Sequence, residues 1–321
     1  MRKSFNAAAW WASLLFSLLI ANSGWAQTYP VKPIRILTSQ PGGAGDIAAR
    51  LIGPALSISF GQPVVIDNRT NITISGEIVA RAPPDGYTLT IYGATLWLGP
   101  LLQPAQYDPL KDFAPICLIA QTPSVLVVHP AVMANSVKEL IALARAQPGV
   151  LNYSSGSVGS LSHLSMELFK SMAQVNIVRI PYKGAGPALN GLAAGETQVM
   201  VVNADAALTH IKAGRLKPLA VTSDRPSRLA PNLPTVATSG LPKYESVGML
   251  GMVTRAGAPH AIIERLDREV VRILNQEEIK DKLLRGGMEM VGASPAIFAA
   301  GIKKEIARAR KLIKDAGLSA D

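Results

Sequence analysis

Three glycine-rich segments carry the clearest chemical signal in the sequence. The first is Gln40-Pro41-Gly42-Gly43-Ala44-Gly45-Asp46, the second runs from Ser154 to Ser160, and the third is Tyr182-Lys183-Gly184-Ala185-Gly186-Pro187. Each follows a predicted strand and opens a predicted helix, so each offers unpaired backbone N–H groups and the positive end of a helix dipole. For one such turn, the backbone freedom of glycine is an equally good explanation. Three turns at the carboxyl ends of strands predict a binding site for a small anion.

Part of the first turn also fits a dinucleotide fingerprint. Gly43-Ala44-Gly45-Asp46-Ile47-Ala48 matches G-x-G-x-x-A, and Asp67 closes the next predicted strand 22 residues after Gly45, where a ribose-binding acid would lie. A dinucleotide-binding oxidoreductase is therefore an alternative. We favour a binding site without this cofactor, because the chain carries an export signal and free nicotinamide cofactor is scarce outside the cytoplasm.

Other catalytic constellations find no support in the residues. Ser157 lacks the glycine two places before it that a nucleophile elbow needs. The four histidines are far apart, without the paired spacing of metal ligands. Cys117 is the only cysteine and lies in an apolar stretch, so it predicts a buried strand residue and no disulfide or redox motif. The sequence predicts a binding protein with no enzymatic activity, metal or cofactor.

The elements around these turns alternate between short apolar runs and helical patterns, which predicts an α/β fold with largely parallel sheets. The 321 residues favour two domains. The predicted strands are 34–38, 64–67, 88–92, 114–120, 125–129, 152–154, 177–180, 199–203 and 218–222. The predicted helices are 46–60, 76–82, 136–146, 159–172, 185–194, 207–213, 259–275, 277–286 and 295–317.

Residues 1–26 have the pattern of a signal peptide. Arg2 and Lys3 precede an apolar run of about 15 residues, shorter than the roughly 20 that span a bilayer, and small residues precede a cleavage site after Ala26. Cleavage would remove two basic residues and no acid from a chain of net charge +10, leaving +8. We therefore expect an exported periplasmic protein that favours anionic partners.

Composition excludes two further classes of protein. Hydrophobic residues make up 48% and charged residues 17% of the chain, which excludes an intrinsically disordered protein. Aromatic residues, at 5%, are too sparse for a nucleic-acid binder that stacks bases, so we expect no nucleic-acid partner.

From Tyr29 to about Gly317 the sequence resembles the periplasmic substrate-binding proteins of tripartite tricarboxylate transporters, the Bug (TctC-like) family. The motifs that carry the resemblance are individually weak, but their order and spacing are specific. They are Tyr29-Pro30-Val31-Lys32-Pro33-Ile34-Arg35, Pro41-Gly42-Gly43 with Asp46, Gly61-Gln62-Pro63-Val64-Val65, Asn68-Arg69, Pro84-Asp85-Gly86-Tyr87-Thr88-Leu89, Tyr107-Asp108-Pro109, His129-Pro130, Gly156-Ser157-Val158-Gly159 with His163-Leu164, Pro181-Tyr182-Lys183-Gly184, His210-Ile211-Lys212-Ala213-Gly214, Leu219-Ala220-Val221-Thr222 and Leu233-Pro234-Thr235.

The resemblance implies a two-domain periplasmic-binding-protein (Venus flytrap) fold with two crossover strands. We expect one domain from 27–127 plus 250–321 and the other from 128–249. The implied function is capture of a small organic carboxylate between the domains for the membrane subunits of a tripartite transporter, by a monomer and without catalysis. An exported sensor that docks on a receptor stays an alternative.

The resemblance also implies which residues contact the ligand. The first turn supplies Gln40, Pro41, Gly42, Gly43 and Ala44, the second supplies Ser155, Gly156, Ser157 and Gly159 with His163 beside them, and the third supplies Tyr182 and Lys183. Asp46 is interpreted as an N-cap, because a carboxylate that pointed into the site would repel an anion.

The sequence departs from the family pattern at two predicted walls of the site. Residues 70–75 replace a glycine-rich loop, so Thr70 and Asn71 would bind through side chains instead of backbone N–H groups. Val202 and Asn203 stand where many relatives have a phenylalanine and a polar or acidic residue, and Asn203 is a further predicted contact. Met249-Leu250 replace a common aromatic before Gly251, and together these changes predict a ligand with an apolar body. From Val202 we expect a mono- or dicarboxylate without a free ammonium group.

Overall fold

The computed structural model describes residues 29–315, which form two α/β domains. Domain 1 is built on a six-stranded sheet of order β11-β4-β10-β3-β1-β2, and domain 2 on a five-stranded sheet of order β7-β6-β8-β5-β9. The predicted signal peptide, 1–26, lies outside the described residues. The strands are β1 (Ile34–Thr38), β2 (Val64–Asn68), β3 (Thr88–Gly93), β4 (Phe113–Thr122), β5 (Ser124–Val128), β6 (Asn152–Ser155), β7 (Val178–Pro181), β8 (Val199–Asn203), β9 (Lys217–Val221), β10 (Gly248–Arg255) and β11 (Glu289–Ala293).

Helices cover both faces of each sheet. They are α1 (Ala44–Phe60), α2 (Ile72–Arg81), α3 (Thr95–Leu98), α4 (Val137–Ala146), α5 (Leu161–Ala173), α6 (Ala185–Ala193), α7 (Ala204–Lys212), α8 (His260–Leu274), α9 (Glu277–Arg285) and α10 (Pro295–Asp315), with a 3-10 turn at Gly99–Leu101 after α3. No helix within residues 29–315 is both long enough and apolar enough to cross a bilayer.

The chain passes between the sheets at two places that lie side by side. It leaves domain 1 between β4 and β5, at Pro123, and returns between β9 and β10. The Thr122 hydroxyl donates to the Gly248 carbonyl at 3.3 Å, and the Ser246 N–H donates to the Thr222 carbonyl at 2.9 Å. The two-domain α/β fold with two crossover connections is confirmed. The exact domain limits, 27–127 plus 250–321 and 128–249, stay a prediction.

Both sheets are mixed, which corrects the expectation of largely parallel sheets. Four strand pairs are parallel and lie beside the glycine-rich turns, namely β1 with β2 and β3, and β6 with β7 and β8. The other five pairs are antiparallel. The reason is the double crossing: β4 leaves domain 1 and β10 returns to it, so these neighbours run in opposite directions.

Alternation along β1 shows why these sheets form. Ile34 and Ile36 point to one face and pack with the fully buried Ile52 and Leu56 of α1, while Leu37 points to the opposite cluster. Burying each such side chain contributes about 1.5–3 kcal/mol. Cys117, on β4, is fully buried, as the sequence predicted. Each glycine-rich turn is thereby held between a buried strand and a packed helix.

Candidate functional site

A cavity of about 1030 Å³ lies between the two domains. Its polar wall in domain 1 comes from the first turn and from the end of β3, and its polar wall in domain 2 comes from the second and third turns. Seven of the sequence-predicted contacts line it: Gln40, Gly43, Ala44, Ser157, Gly159, Tyr182 and Lys183. The structure thus brings all three glycine-rich turns to one cavity.

The domain 1 turn is held from behind by a buried acid. Asp46 is 3% exposed and accepts hydrogen bonds from the Gly42 N–H at 2.9 Å, the Arg50 Nε at 2.9 Å and the Asn68 amide at 2.7 Å. Burial opposes ionisation of Asp46, but these hydrogen bonds outweigh it and hold the pKa of the carboxyl below its usual range. Asp46 is not the N-cap that the sequence suggested, because α1 begins at Ala44 after Gly43. It is the third helical residue and reaches back to the turn.

This arrangement leaves donors of the domain 1 turn pointing at the cavity. Gly43 donates its N–H to the Gln40 carbonyl at 3.0 Å, whereas the N–H groups of Ala44 and Gly45 have no acceptor among the described residues. They are the first two N–H groups of α1, which no intrahelical carbonyl can satisfy. Ser39 also lines the cavity, and its buried hydroxyl has no hydrogen-bond partner within residues 29–315. The sequence reasoning missed Ser39, since it lies just before the glycine-rich motif.

In the domain 2 turn, a hydroxyl and an imidazole bind the N–H groups. Ser160 is the N-cap of α5 and accepts from the His163 N–H at 3.4 Å. The Ser162 hydroxyl accepts from the Gly156 N–H at 3.2 Å, and Nδ1 of the buried His163 accepts from the Gly159 N–H at 3.1 Å. Two N–H groups of this turn are therefore already used by the protein.

The third turn adds two cations to the cavity wall. Lys183 lies in the turn and is exposed, and Arg179, the second residue of the preceding strand β7, is half-buried. Arg179 donates to the Ser155 hydroxyl at 2.8 Å and to the Gly156 carbonyl at 2.9 Å. The Tyr182 hydroxyl donates to Glu196 at 2.7 Å, so this ring lines the cavity while its polar end is occupied. The signal for Arg179 was a cation within an otherwise apolar strand, three residues before the turn.

The predicted wall at 70–75 is a helix start, not an open loop. The Asn71 side chain accepts from the N–H groups of Thr73 and Ile74 at 3.0 and 3.4 Å, so α2 begins at Ile72, earlier than the predicted residue 76. The side-chain oxygen of Asn71, which we predicted to bind the ligand, therefore caps α2. Thr70 and Asn71 are exposed outside the cavity lining, and Ile72 lines it instead.

The remaining predicted contacts lie near the cavity without lining it. Ser155, Gly156 and His163 are buried beneath the domain 2 turn, and Pro41 and Gly42 are exposed beside the domain 1 turn. Asn203 accepts a 3.4 Å hydrogen bond from Ser124, next to a crossover connection. Val202 is 3% exposed and packs in an apolar cluster of domain 2, so it does not shape the cavity as we expected.

An apolar surface joins the polar walls. Leu98 and Leu102 come from the α3 region of domain 1, and Leu161 and Leu164 come from α5 of domain 2. Gly159 has φ of +76°, and a Cβ atom built on it would overlap Leu102 Cδ1, so the two walls meet in a contact that only glycine permits. Other lining residues are Tyr92, Gly93, Ala94, Thr95, Gly99, Gln103, Thr122, Val158, Leu168, Arg179, Pro181, Ser246, Gly248, Met249, Leu250, Glu305, Arg308, Ala309 and Leu312.

Glu305 is the acidic residue of this lining, and it is already engaged. It is 7% exposed and accepts from the Trp97 indole N–H at 2.6 Å. Burial raises the pKa of the Glu305 carboxyl, since the charged form loses its hydration there. With Glu305 protonated, the charged side chains of the cavity lining would be the cations Arg179, Lys183 and Arg308.

The geometry gives no support to dinucleotide binding or to metal binding within the described residues. Asp67, the candidate ribose-binding acid, forms ion pairs with Arg35 and Arg69 on the surface of β2. In the described part of the chain, no group of three or more His, Cys, Asp or Glu residues is placed to hold a metal ion.

Comparison with known proteins decides the family. The sequence profile described as "Tripartite tricarboxylate transporter family receptor" matches residues 48–318. The chain belongs to this family. Protein BugT of Bordetella pertussis is 33% identical over 298 residues, covering 91% of each chain. Members of the receptor family are periplasmic solute-binding proteins.

Two solved structures of this fold contain carboxylates. R. palustris Rpa4515 with adipate is 36% identical, covers 91% of this chain and 99% of its own, and superposes with a TM-score of 0.72. MatC (Rpa3494) from Rhodopseudomonas palustris, with bound malate, is 26% identical, covers 89% of this chain and all of its own, and has a TM-score of 0.68. Both ligands are dicarboxylates.

Proposed function

We propose that this receptor-family protein captures a small carboxylate in the cavity between its domains and delivers it, chemically unchanged, to the membrane subunits of a tripartite tricarboxylate-type transporter. The observation that carries the proposal is the pair of N–H groups of Ala44 and Gly45, which open onto the cavity without acceptors among the described residues. Oriented N–H groups at a helix N-terminus bind an anion without a buried counter-charge. The ligands of Rpa4515 and MatC support a carboxylate as that anion.

The same proposal includes export. Residues 1–26 match a signal peptide with cleavage after Ala26, and the family is periplasmic. We propose that the mature monomer starts at Gln27 and works in the periplasm. Mass analysis of the secreted protein tests this, and a chain that still begins at Met1 would refute cleavage.

We also propose that the ligand has no free ammonium group. Val202 does not support this, because it lies in the core of domain 2, but the charges of the cavity do. Arg179, Lys183 and Arg308 line the cavity, whereas its acid, Glu305, is bound to Trp97. A cationic ligand group would face positive side chains without a free carboxylate among the described lining residues.

The first test is a calorimetric and thermal-shift panel of adipate, malate, benzoate, aspartate, glutamate and NAD on the mature chain. A ligand at a hundred times its Kd should stabilise the protein by about 2.7 kcal/mol. We expect one carboxylate class to bind and to be recovered unchanged after long incubation. Binding of NAD alone, turnover of the ligand, or silence across the panel would overturn the proposal. Tighter binding of aspartate or glutamate would overturn only the statement on the ammonium group.

A matched pair of glycine variants tests whether the cavity is the site. A Cβ at Gly45 would lie 2.7 Å from the Ile91 carbonyl oxygen, so Gly45→Ala must displace the turn. A Cβ at Gly53, in the same helix, would overlap only the flexible end of Ile66, at 2.9 Å, and would make an ordinary contact with Val64 at 3.5 Å. We expect Gly45→Ala to weaken carboxylate binding about 10-fold or more, since charge-assisted hydrogen bonds are lost. Gly53→Ala should keep wild-type affinity, and equal affinities of the two variants would place the ligand elsewhere.

A further inference from the structure

We propose that Arg179 is the cationic anchor for an anionic group of the ligand on the domain 2 wall, so that this wall recognises charge and not only hydrogen-bond geometry. This inference rests on the proposed function, because it assigns a selective residue to the same cavity. It also goes beyond the backbone N–H groups that the glycine-rich turns offer to an anion.

The guanidinium of Arg179 is positioned before any ligand arrives. Its Nε donates to Ser155 Oγ at 2.8 Å, and one terminal nitrogen donates to the Gly156 carbonyl at 2.9 Å. Ser155 is itself fully buried and lies on β6, beside β7 in the sheet. Because a guanidinium carries five N–H donors in one plane, these two bonds fix its orientation and leave further donors for the cavity.

The charge of Arg179 is not neutralised by the protein. None of the ion pairs within residues 29–315 includes Arg179. In the same domain, the acid Glu167 is engaged by the Tyr153 hydroxyl and by Lys170 at 2.7 Å.

Two other half-buried arginines, Arg35 and Arg255, are paired with Asp67 and Asp112. Arg265 and Arg308 are half-buried and, in the described part of the chain, lack an ion pair as Arg179 does; Arg265 lies over the Phe60 ring, and Arg308 donates to the Glu245 carbonyl. A half-buried cation that lacks an acid gains most from an anion supplied by a ligand.

Each turn uses part of its own donors. In domain 2, Gly156 and Gly159 donate their N–H groups to Ser162 and His163. In domain 1, Gly42 and Gly43 donate theirs to Asp46 and Gln40, while Ala44 and Gly45 keep theirs. Arg179 adds charged donors to the domain 2 wall, beyond the backbone N–H groups that both walls offer.

The experiment compares acids with their amides in wild type and in Arg179→Gln. Adipate with adipamide, and benzoate with benzamide, differ in charge while shape is nearly kept. By titration calorimetry we expect Arg179→Gln to lower the affinity for the acids about 10- to 100-fold and to keep the affinity for the amides within about twofold of wild type. The preference of the protein for acid over amide should therefore be lost. Arg179→Lys keeps the charge but loses the planar fork, and it should fall between the two. The wild-type Kd for the acids should also rise with salt more steeply than that of Arg179→Gln.

Arg215→Gln is the matched control. Arg215 is an exposed arginine of domain 2 outside the cavity lining, and its replacement removes the same charge from the protein. Its affinity for the acids should stay within about twofold of wild type. An Arg179→Gln protein that keeps the acid preference, or that loses acid and amide alike, would overturn the anchor. Wild-type protein that binds no acid would instead refute the proposed function, and the anchor with it.

Discussion

The two polar walls of the cavity use the same backbone device but are held by opposite means. Behind the domain 1 turn lies an ionised, buried acid, Asp46, that gathers three donors. Behind the domain 2 turn lie a hydroxyl and an imidazole, Ser162 and His163, and a cation, Arg179, lies beside them. The difference shows that a turn whose N–H groups open onto a cavity tolerates a negative charge behind it when that charge is hydrogen-bonded to the turn itself.

The largest expected effect separates these two supports. Asp46→Ala leaves the Gly42 N–H without its acceptor and removes one of the two acceptors of the Asn68 amide, which keeps its bond to the Ser39 carbonyl. It should lower the free energy of unfolding by about 2–3 kcal/mol. Ser160→Ala removes the neutral cap of α5 and should cost about 1 kcal/mol. Urea unfolding of both variants measures the two costs.

The control for this comparison is Arg50→Ala. The Arg50 side chain is 56% exposed, so its ion pair with Asp46 should contribute no more than about 1 kcal/mol. If Arg50→Ala were as destabilising as Asp46→Ala, the ion pair and not the hydrogen bonds to the turn would be the support of domain 1.

A second effect, of intermediate size, tests the contact between the walls. Gly159→Ala combines a strained positive φ with an overlap on Leu102, and should cost about 1–2 kcal/mol of stability as well as ligand affinity. Adding Leu102→Ala should restore part of the affinity, since the overlap is removed while the strain stays.

Gly149→Ala is the matched control for Gly159→Ala. Gly149 has φ of +78° in the same domain but does not line the cavity. It should lose stability without losing affinity. If both variants lost affinity equally, backbone strain alone would explain the result and the contact between the walls would have no role.

The smallest expected effect appears only at acidic pH. It is a difference between the two walls in how the hydrogen exchange of their N–H groups depends on pH. The pKa of Asp46 lies below its usual range in the folded protein, so its stabilisation is complete above the unfolded value of about 3.9 and is lost as the pH falls through the lower folded value. Below about pH 4, hydrogen exchange of the Gly42 N–H should accelerate relative to that of the Gly156 N–H, whose acceptor is the Ser162 hydroxyl. Asp46→Asn should abolish this difference in pH response, and its persistence would contradict the role of the carboxylate.

Much of the fold could be predicted because local pattern and burial agree. The predicted limits of β1 and β8 are those of the structure, and the three glycine-rich turns lie between a strand and a helix as expected. β10 and β11 were both missed. In β11, a five-residue segment interrupted by the positive φ of Gly292 carries no clear alternation. The direction of the crossover strands was also missed, since pairing across a sheet depends on distant segments.

The site was harder to predict because side chains compete for the same polar atoms. Asn71 has the right chemistry for a ligand but caps α2, and Val202 has the right position in the family pattern but lies in the core. Arg179 and Ser39 line the cavity from positions outside any glycine motif. Such roles depend on which hydrogen bonds the fold has already used, and spacing along the chain does not record that.

The hydrogen bond between Trp97 and Glu305 gives the cavity an optical reporter. The other three tryptophans, Trp10, Trp11 and Trp25, lie in the segment that cleavage after Ala26 would remove, so the emission of the mature protein would come from one indole. That indole is buried, and its N–H is bonded to a carboxyl group that lines the cavity. A ligand that alters the hydration or protonation of Glu305 would therefore change the wavelength and yield of that single emitter, and occupancy could be followed in time without a label.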